Sequence, residues 1–312
     1  VTSTNSGKAG AVVTFAAIKE AAQSDRTSEV STTLGACVYN KYTKLLILKP
    51  NNNKCIFNLN ATPTYKKDGA DTSIYPNISD ITHLEIQGDS ANKTITICEI
   101  TNSSGTAIVL NLPKGFEIDG NAKITSFKLD NEKAIVNADI ENKGTIINGG
   151  VVIGESSKTA FPLRPGTSTS NGQANANKTA KFTNLKSIAG GFTITGVATK
   201  TSVAGNNVNT FELVNNSSNA SITGNITLET DSPNALKFKL TNTQGTIKSD
   251  NITVTEIDNS GTIQETKTSA TIKAGTITNN ANIGKDSNNL TITAKTIKNK
   301  AGTIKAKFAI PS

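Results

Sequence analysis

The sequence predicts an all-β protein, a right-handed parallel β-helix in which short strands stack coil upon coil behind a short N-terminal capping helix. Two patterns and the composition lead there. Ile252-Thr-Val-Thr-Glu-Ile257-Asp-Asn259, Ile272-Lys-Ala-Gly-Thr-Ile277-Thr-Asn279 and Ile292-Thr-Ala-Lys-Thr-Ile297-Lys-Asn299 superimpose, each starting 20 residues after the last. That period is one β-solenoid coil. A second aliphatic follows each unit, Ile263, Ile283 and Ile304 in turn. The aliphatic-x-Asn unit also recurs earlier, at Ile100/Asn102, Leu129/Asn131, Ile140/Asn142, Phe182/Asn184 and Leu240/Asn242.

Each part of the unit has a physical reason. Alternating side chains on a strand point to opposite faces, so Ile252, Ile272 and Ile292 are predicted to form one inward stack. Asn and Gly tolerate the left-handed backbone of a tight corner. Asn259, Asn279 and Asn299, repeated at one corner, are predicted to bond amide to amide along the axis, as in amyloid ladders.

Composition agrees. Only 35% of the 312 residues are hydrophobic, 4% are aromatic, and Met and Trp are absent. A large round core is hard to build from that, whereas a thin core repeated many times is not. The net charge of +8 comes from dispersed lysines, and Arg26 and Arg164 are the only arginines. Nucleic-acid binders cluster basic and aromatic side chains, so nucleic acid is not an expected partner. No apolar run approaches the ~20 residues of a membrane span. Three cysteines, Cys37, Cys55 and Cys98, have no metal-type spacing; a Cys37–Cys55 bridge and free thiols both stay open. The start at Val1 reads as a processed or trimmed mature form.

The chain is read as one domain, 1–312, with a cap region over 1–35 and protruding loops at 61–77 and 155–180. Residues 14–23 have helical periodicity, with Phe15, Ile18 and Ala22 on one face. The loops supply candidate contact residues: Tyr65, Lys66, Lys67 and Tyr75 in one, Arg164 in the other. Insertions that leave a solenoid at its corners tend to carry function.

The opening, a helix followed by Leu84-x-Ile86-x-Gly88 and Thr94-Ile-Thr-Ile97, resembles that of pectin-lyase-like β-helix proteins, whose helix caps the open end of the core. The C-terminal units, as in Leu290-Thr-Ile-Thr-Ala-Lys-Thr-Ile-Lys-Asn299, resemble repeats of filamentous-haemagglutinin-type and autotransporter passenger proteins. That resemblance implies secretion from a Gram-negative bacterium and a role in adhesion or as a surface scaffold. Neither an Asn-Pro-Asn-Leu nor an Asn-Pro-Asn-Gly-Ile secretion motif is present.

Pectin-lyase-like folds also house polysaccharide hydrolases and lyases, and hydrolysis needs converging carboxylates. Asp119 and Asp139, 20 residues apart, would stack if both pointed outward. The Gly-His-Gly and Arg-x-Lys signatures of those enzymes are missing, and the single histidine, His83, lies in a strand. The expectation is therefore a non-enzymatic, extracellular or cell-surface protein without cofactor or metal. Its expected partner is a host or neighbouring-cell glycan or protein, with self-association through the C-terminal end as a further expectation. The alternatives are a self-assembling subunit of a filament or surface layer, and a divergent polysaccharide lyase or hydrolase.

Overall fold

The computed structural model describes residues 11–14, 27–32, 35–40, 43–50, 55–58, 66–67, 70–71, 81–88, 98–101, 108–112, 114–129, 134–137, 139–153, 179–194, 209–229 and 236–310. Their regular structure is all strand.

Most of the strands form three parallel ladders, while Ile108–Asn111 and Ala134–Asn137 make a separate parallel pair within the segments that join the third ladder to the first. The first runs through Leu45–Pro50, His83–Ile86, Gly115–Ile118, Ile140–Asn142, Thr179–Asn184, Asn209–Asn215, Leu236–Asn242 and Glu256–Asn259, then the later halves of Ala270–Asn279 and Leu290–Asn299. The second is made of short strands from Lys123–Ile124 to Thr303–Ile304. The third begins with Ala11–Thr14 and Cys55–Asn58 and ends at Lys307–Ala309. From Gly115 onward the chain visits first, second and third ladder in that order on every circuit. This stack of parallel strands is compatible with a β-helix.

Register follows the aliphatic pattern. Ile252 pairs with Ile272 and Ile272 with Ile292, and each is at most 2% exposed. Ile263, Ile283 and Ile304 are likewise in register on the second ladder. In the middle of the chain the core turns aromatic: Phe116, Phe127, Phe182, Phe192, Phe211 and Phe238 follow one another with ring centroids 5.1–6.4 Å apart. These tilted and edge-on pairs are favourable ring arrangements. They let a few large side chains fill a core that the composition otherwise leaves thin.

The 20-residue period holds only near the C-terminus. On the first ladder Phe116 pairs with Ile140, Ile140 with Phe182, Phe182 with Leu213, and Leu240 with Ile257. Coil length is thus variable, and its variation has one location. The segments joining third to first ladder are 59–82, 102–114, 130–139, 154–178, 195–208, 229–235 and 254–255; they vary widely in length and shorten steadily only after 154–178. From Gly115 onward the other two corners stay short.

At the N-terminal end, the outer edge of Leu45–Pro50 pairs antiparallel with Gly35–Asn40, which pairs with Thr27–Thr32. A hairpin thus covers the edge that an open sheet would expose. Of the expected helix, Thr14 instead ends a strand paired with Cys55–Asn58. Phe15, Ile18 and Ala22 lie outside the described residues.

Candidate functional site

The corner at which the chain returns to the first ladder holds a cleft of about 210 Å³. It is built from the starts of three successive first-ladder strands. His83 opens the first of them, Gly115 the second, and Asp139 immediately precedes the third, so these residues lie side by side on neighbouring coils. Gly115 has φ of 90°, and a Cβ there would sit 2.8 Å from the carbonyl oxygen of Asp139. Glycine is therefore required, and it leaves the cleft floor between His83 and Asp139 without a side chain.

Two positions further along the same strands, Glu85, Glu117 and Glu141 stack in register. Three like charges about 4.8 Å apart repel one another. Lys143 relieves part of this, its Nζ lying 2.9 Å from Glu117 Oε2 and 3.1 Å from Glu141 Oε1. These hydrogen bonds raise the lysine's pKa. Both pairs are solvated, so their contribution to stability is small, about 0–1 kcal/mol each.

Burial raises the pKa of Asp139, partly offset by the charge and the backbone N–H of Lys181. Burial also raises Glu85, with the charges of Glu117 and Asp119 adding to it and Lys143 opposing. His83 is lowered by burial and by Lys114 and Lys143, against the pull of Glu117. His83, Lys114, Glu117, Asp139 and Glu141 thus share one shallow, polar cleft. Such a set can bind hydroxyl or amine groups. Among the described residues no group of three or more His, Cys, Asp or Glu side chains is placed to hold a metal ion.

Asp119 and Asp139 do not form the stacked pair that their 20-residue spacing would allow. The local coil places Ile118 beside Asn142, so Asp119 aligns with Lys143 while Asp139 aligns with Gly115. Asp119 Oδ2 instead accepts the backbone N–H groups of Gly88 and Asn121, at 3.2 and 3.1 Å. It fixes a turn.

At the next corner runs the asparagine ladder. Asn259 Nδ2 donates to Asn279 Oδ1 at 2.8 Å, and Asn279 Nδ2 to Asn299 Oδ1 at 2.8 Å. The ladder continues in the other direction through Asn242, Asn215, Asn184 and Asn142, with amide-to-amide distances of 2.8–3.0 Å. Asn215 was not among the units singled out in the sequence, although Leu213-Val214-Asn215 carries the same signature. The glycines that follow have a spatial reason: a Cβ at Gly245 would lie 2.2 Å from Asn215 Nδ2, and one at Gly261 2.6 Å from Asn242 Nδ2.

Of the candidate contact residues, Lys66 and Lys67 form a two-residue strand antiparallel to Ala70–Asp71. Tyr65, Tyr75 and Arg164 lie outside the described residues. Their segments, 59–82 and 154–178, both enter the first ladder at the cleft corner. Cys55 is registered beside Cys98 in the third ladder, while Cys37 faces Leu48 in the N-terminal hairpin. Among the described residues no helix is long and apolar enough to cross a membrane. No family model matches the chain, and no curated protein and no solved structure is significantly similar to it.

Proposed function

We propose that the chain is a closed, right-handed parallel β-helix that acts outside the cell as an adhesin or surface scaffold and performs no chemistry of its own. Handedness follows from the rule that parallel strands joined by a crossover connect right-handedly. One observation carries the functional reading: all large variation in coil length falls at the third-to-first corner. Two corners hold a uniform stack, and the third bears segments of very different length, among them those with Tyr65, Lys66, Lys67, Tyr75 and Arg164. A stiff rod that displays variable segments along one edge is suited to multivalent contact with a glycan or protein on another surface.

The test is a glycan and matrix-protein binding screen with the intact chain and with variants in which 59–82 or 154–178 is replaced by a short Gly/Asn link. Binding that weakens in these variants supports the reading; binding indifferent to both overturns it. A second reading, a divergent polysaccharide hydrolase, is favoured by the raised pKa of Asp139 beside Glu117 and Glu141. Release of reducing sugar ends, lost in Asp139→Asn, would establish that reading in place of the first.

A further inference from the structure

The third ladder brings two of the three cysteines together. Cys55 opens the strand Cys55–Asn58, Cys98 opens Cys98–Thr101, and these strands pair in parallel with Cys55 registered on Cys98. On its other side Cys55 is registered with Ala11, and Cys98 with Phe127. Among the described residues, each of the two therefore has the other as its one registered cysteine neighbour. Cys37 is placed elsewhere, registered between Val30 and Leu48 in the N-terminal hairpin.

Register suits a covalent link. Positions in register on neighbouring parallel strands lie on the same face of the sheet, about 4.8 Å apart. Disulfides join residues whose Cα atoms are roughly 4.4–6.8 Å apart. The column that holds Cys55 and Cys98 continues through Phe127 and Val151, both at most 1% exposed, so it is the inward column of the ladder.

We propose that Cys55 and Cys98 are a disulfide site that closes one coil covalently and leaves Cys37 as a thiol. The two thiols give up two protons and two electrons and gain one S–S bond. A low-molecular-weight disulfide such as oxidised glutathione accepts both by becoming two thiols. From Cys55 to Cys98 the chain makes one full circuit, through the connection 59–82 and the first-ladder strand His83–Ile86 and back to the third ladder. A coil is held only by its neighbours, and closing a long connection costs entropy. A cross-link from the start of one coil to the start of the next takes part of that cost out of folding, because the unfolded chain is already closed. The pairing rests on strand register and is independent of what the loop-bearing corner binds.

To test it, the full chain is reduced in denaturant, refolded in mixed oxidised and reduced glutathione, alkylated, and digested without reductant for mass spectrometry. The expected products are a linked peptide joining Cys55 to Cys98 and an alkylated Cys37. The same oxidation kept in denaturant is the control: without the fold, loop closure favours Cys37–Cys55, 18 residues apart, over Cys55–Cys98, 43 apart. Refolding should reverse that preference. In a Cys37→Ser chain, reducing the bond should lower the urea midpoint, and adding Cys98→Ser should abolish the response to reductant. The proposal is overturned if the refolded chain links Cys37, if all three cysteines are alkylated, or if the pairing is the same with and without denaturant. A urea midpoint of the Cys37→Ser chain that ignores reductant would overturn it as well.

Discussion

The asparagine ladder is the most exacting feature at the scale of single residues. Asn259 is 0% exposed, accepts from Asn242 and donates to Asn279, Gly261 and Asn282. Asn259→Ala deletes those bonds and leaves buried amide donors and carbonyls unpaired, at about 1–3 kcal/mol for each unsatisfied group. Chemical denaturation should therefore show a loss of about 2–5 kcal/mol, whereas Asn280→Ala, whose side chain bonds at the surface, should change stability by about 0.5 kcal/mol or less. The ladder was legible because its signature is local. The conditional stacking of Asp119 on Asp139 does not occur, because their 20-residue spacing matches a period that applies only to the C-terminal coils. His83 offers a check on the cleft, being the only histidine. Its imidazole should titrate below 6.5 by NMR, and Glu117→Gln should lower it further by removing the carboxylate that favours the charged form. Because the neutral form is favoured in the fold, the group destabilises the protein as pH falls below 6.5 and is without effect above it. A midpoint at or above 6.5 would contradict the described burial.

At the scale of elements, each coil is a few residues of strand whose inward side chains gain cover only from the coils above and below. Ile272 lies between Ile252 and Ile292, so Ile272→Ala should cost about 2–5 kcal/mol in denaturant unfolding. Ile304→Ala, with one covered side, should cost clearly less. The same asymmetry predicts hydrogen exchange: amides of 296–309 should exchange faster than those of 236–283, because local opening costs least where neighbours are fewest. Equal protection across both segments would mean that another element covers the end. The aliphatic strands were readable from alternation alone. The aromatic run from Phe116 to Phe238 was not, because its phenylalanines come together only through variable connections. The N-terminal hairpin was missed for a related reason: Leu45-Leu-Ile-Leu48 reads as a strand, but nothing local in it specifies an antiparallel partner on one side and a parallel one on the other.

At the scale of the molecule, three parallel ladders repeat along the chain and the connections between them differ in character. One corner is pinned by the asparagine ladder, another collects the long connections and the cleft, and the first-ladder strand Leu45–Pro50 is edged by a hairpin. The stacked strands and the asparagine corner follow from repetition, which a sequence displays openly, whereas the variable segments carry no repeat from which a role could be read. The central claim is the one-dimensional stack, and distances along one ladder test it most directly. Glu85, Glu117, Thr183 and Lys298 occupy outward positions of the first ladder, and Thr183, Glu117 and Glu85 are successively farther from Lys298. In a chain whose three native cysteines are replaced by alanine, spin labels at Lys298 paired with Thr183, Glu117 or Glu85 can be measured by double electron–electron resonance. At about 4.8 Å per coil the account predicts separations near ~24, ~34 and ~38 Å, rising linearly with coil number. Distances that do not increase in that order, or that scatter broadly for every pair, would contradict the stack.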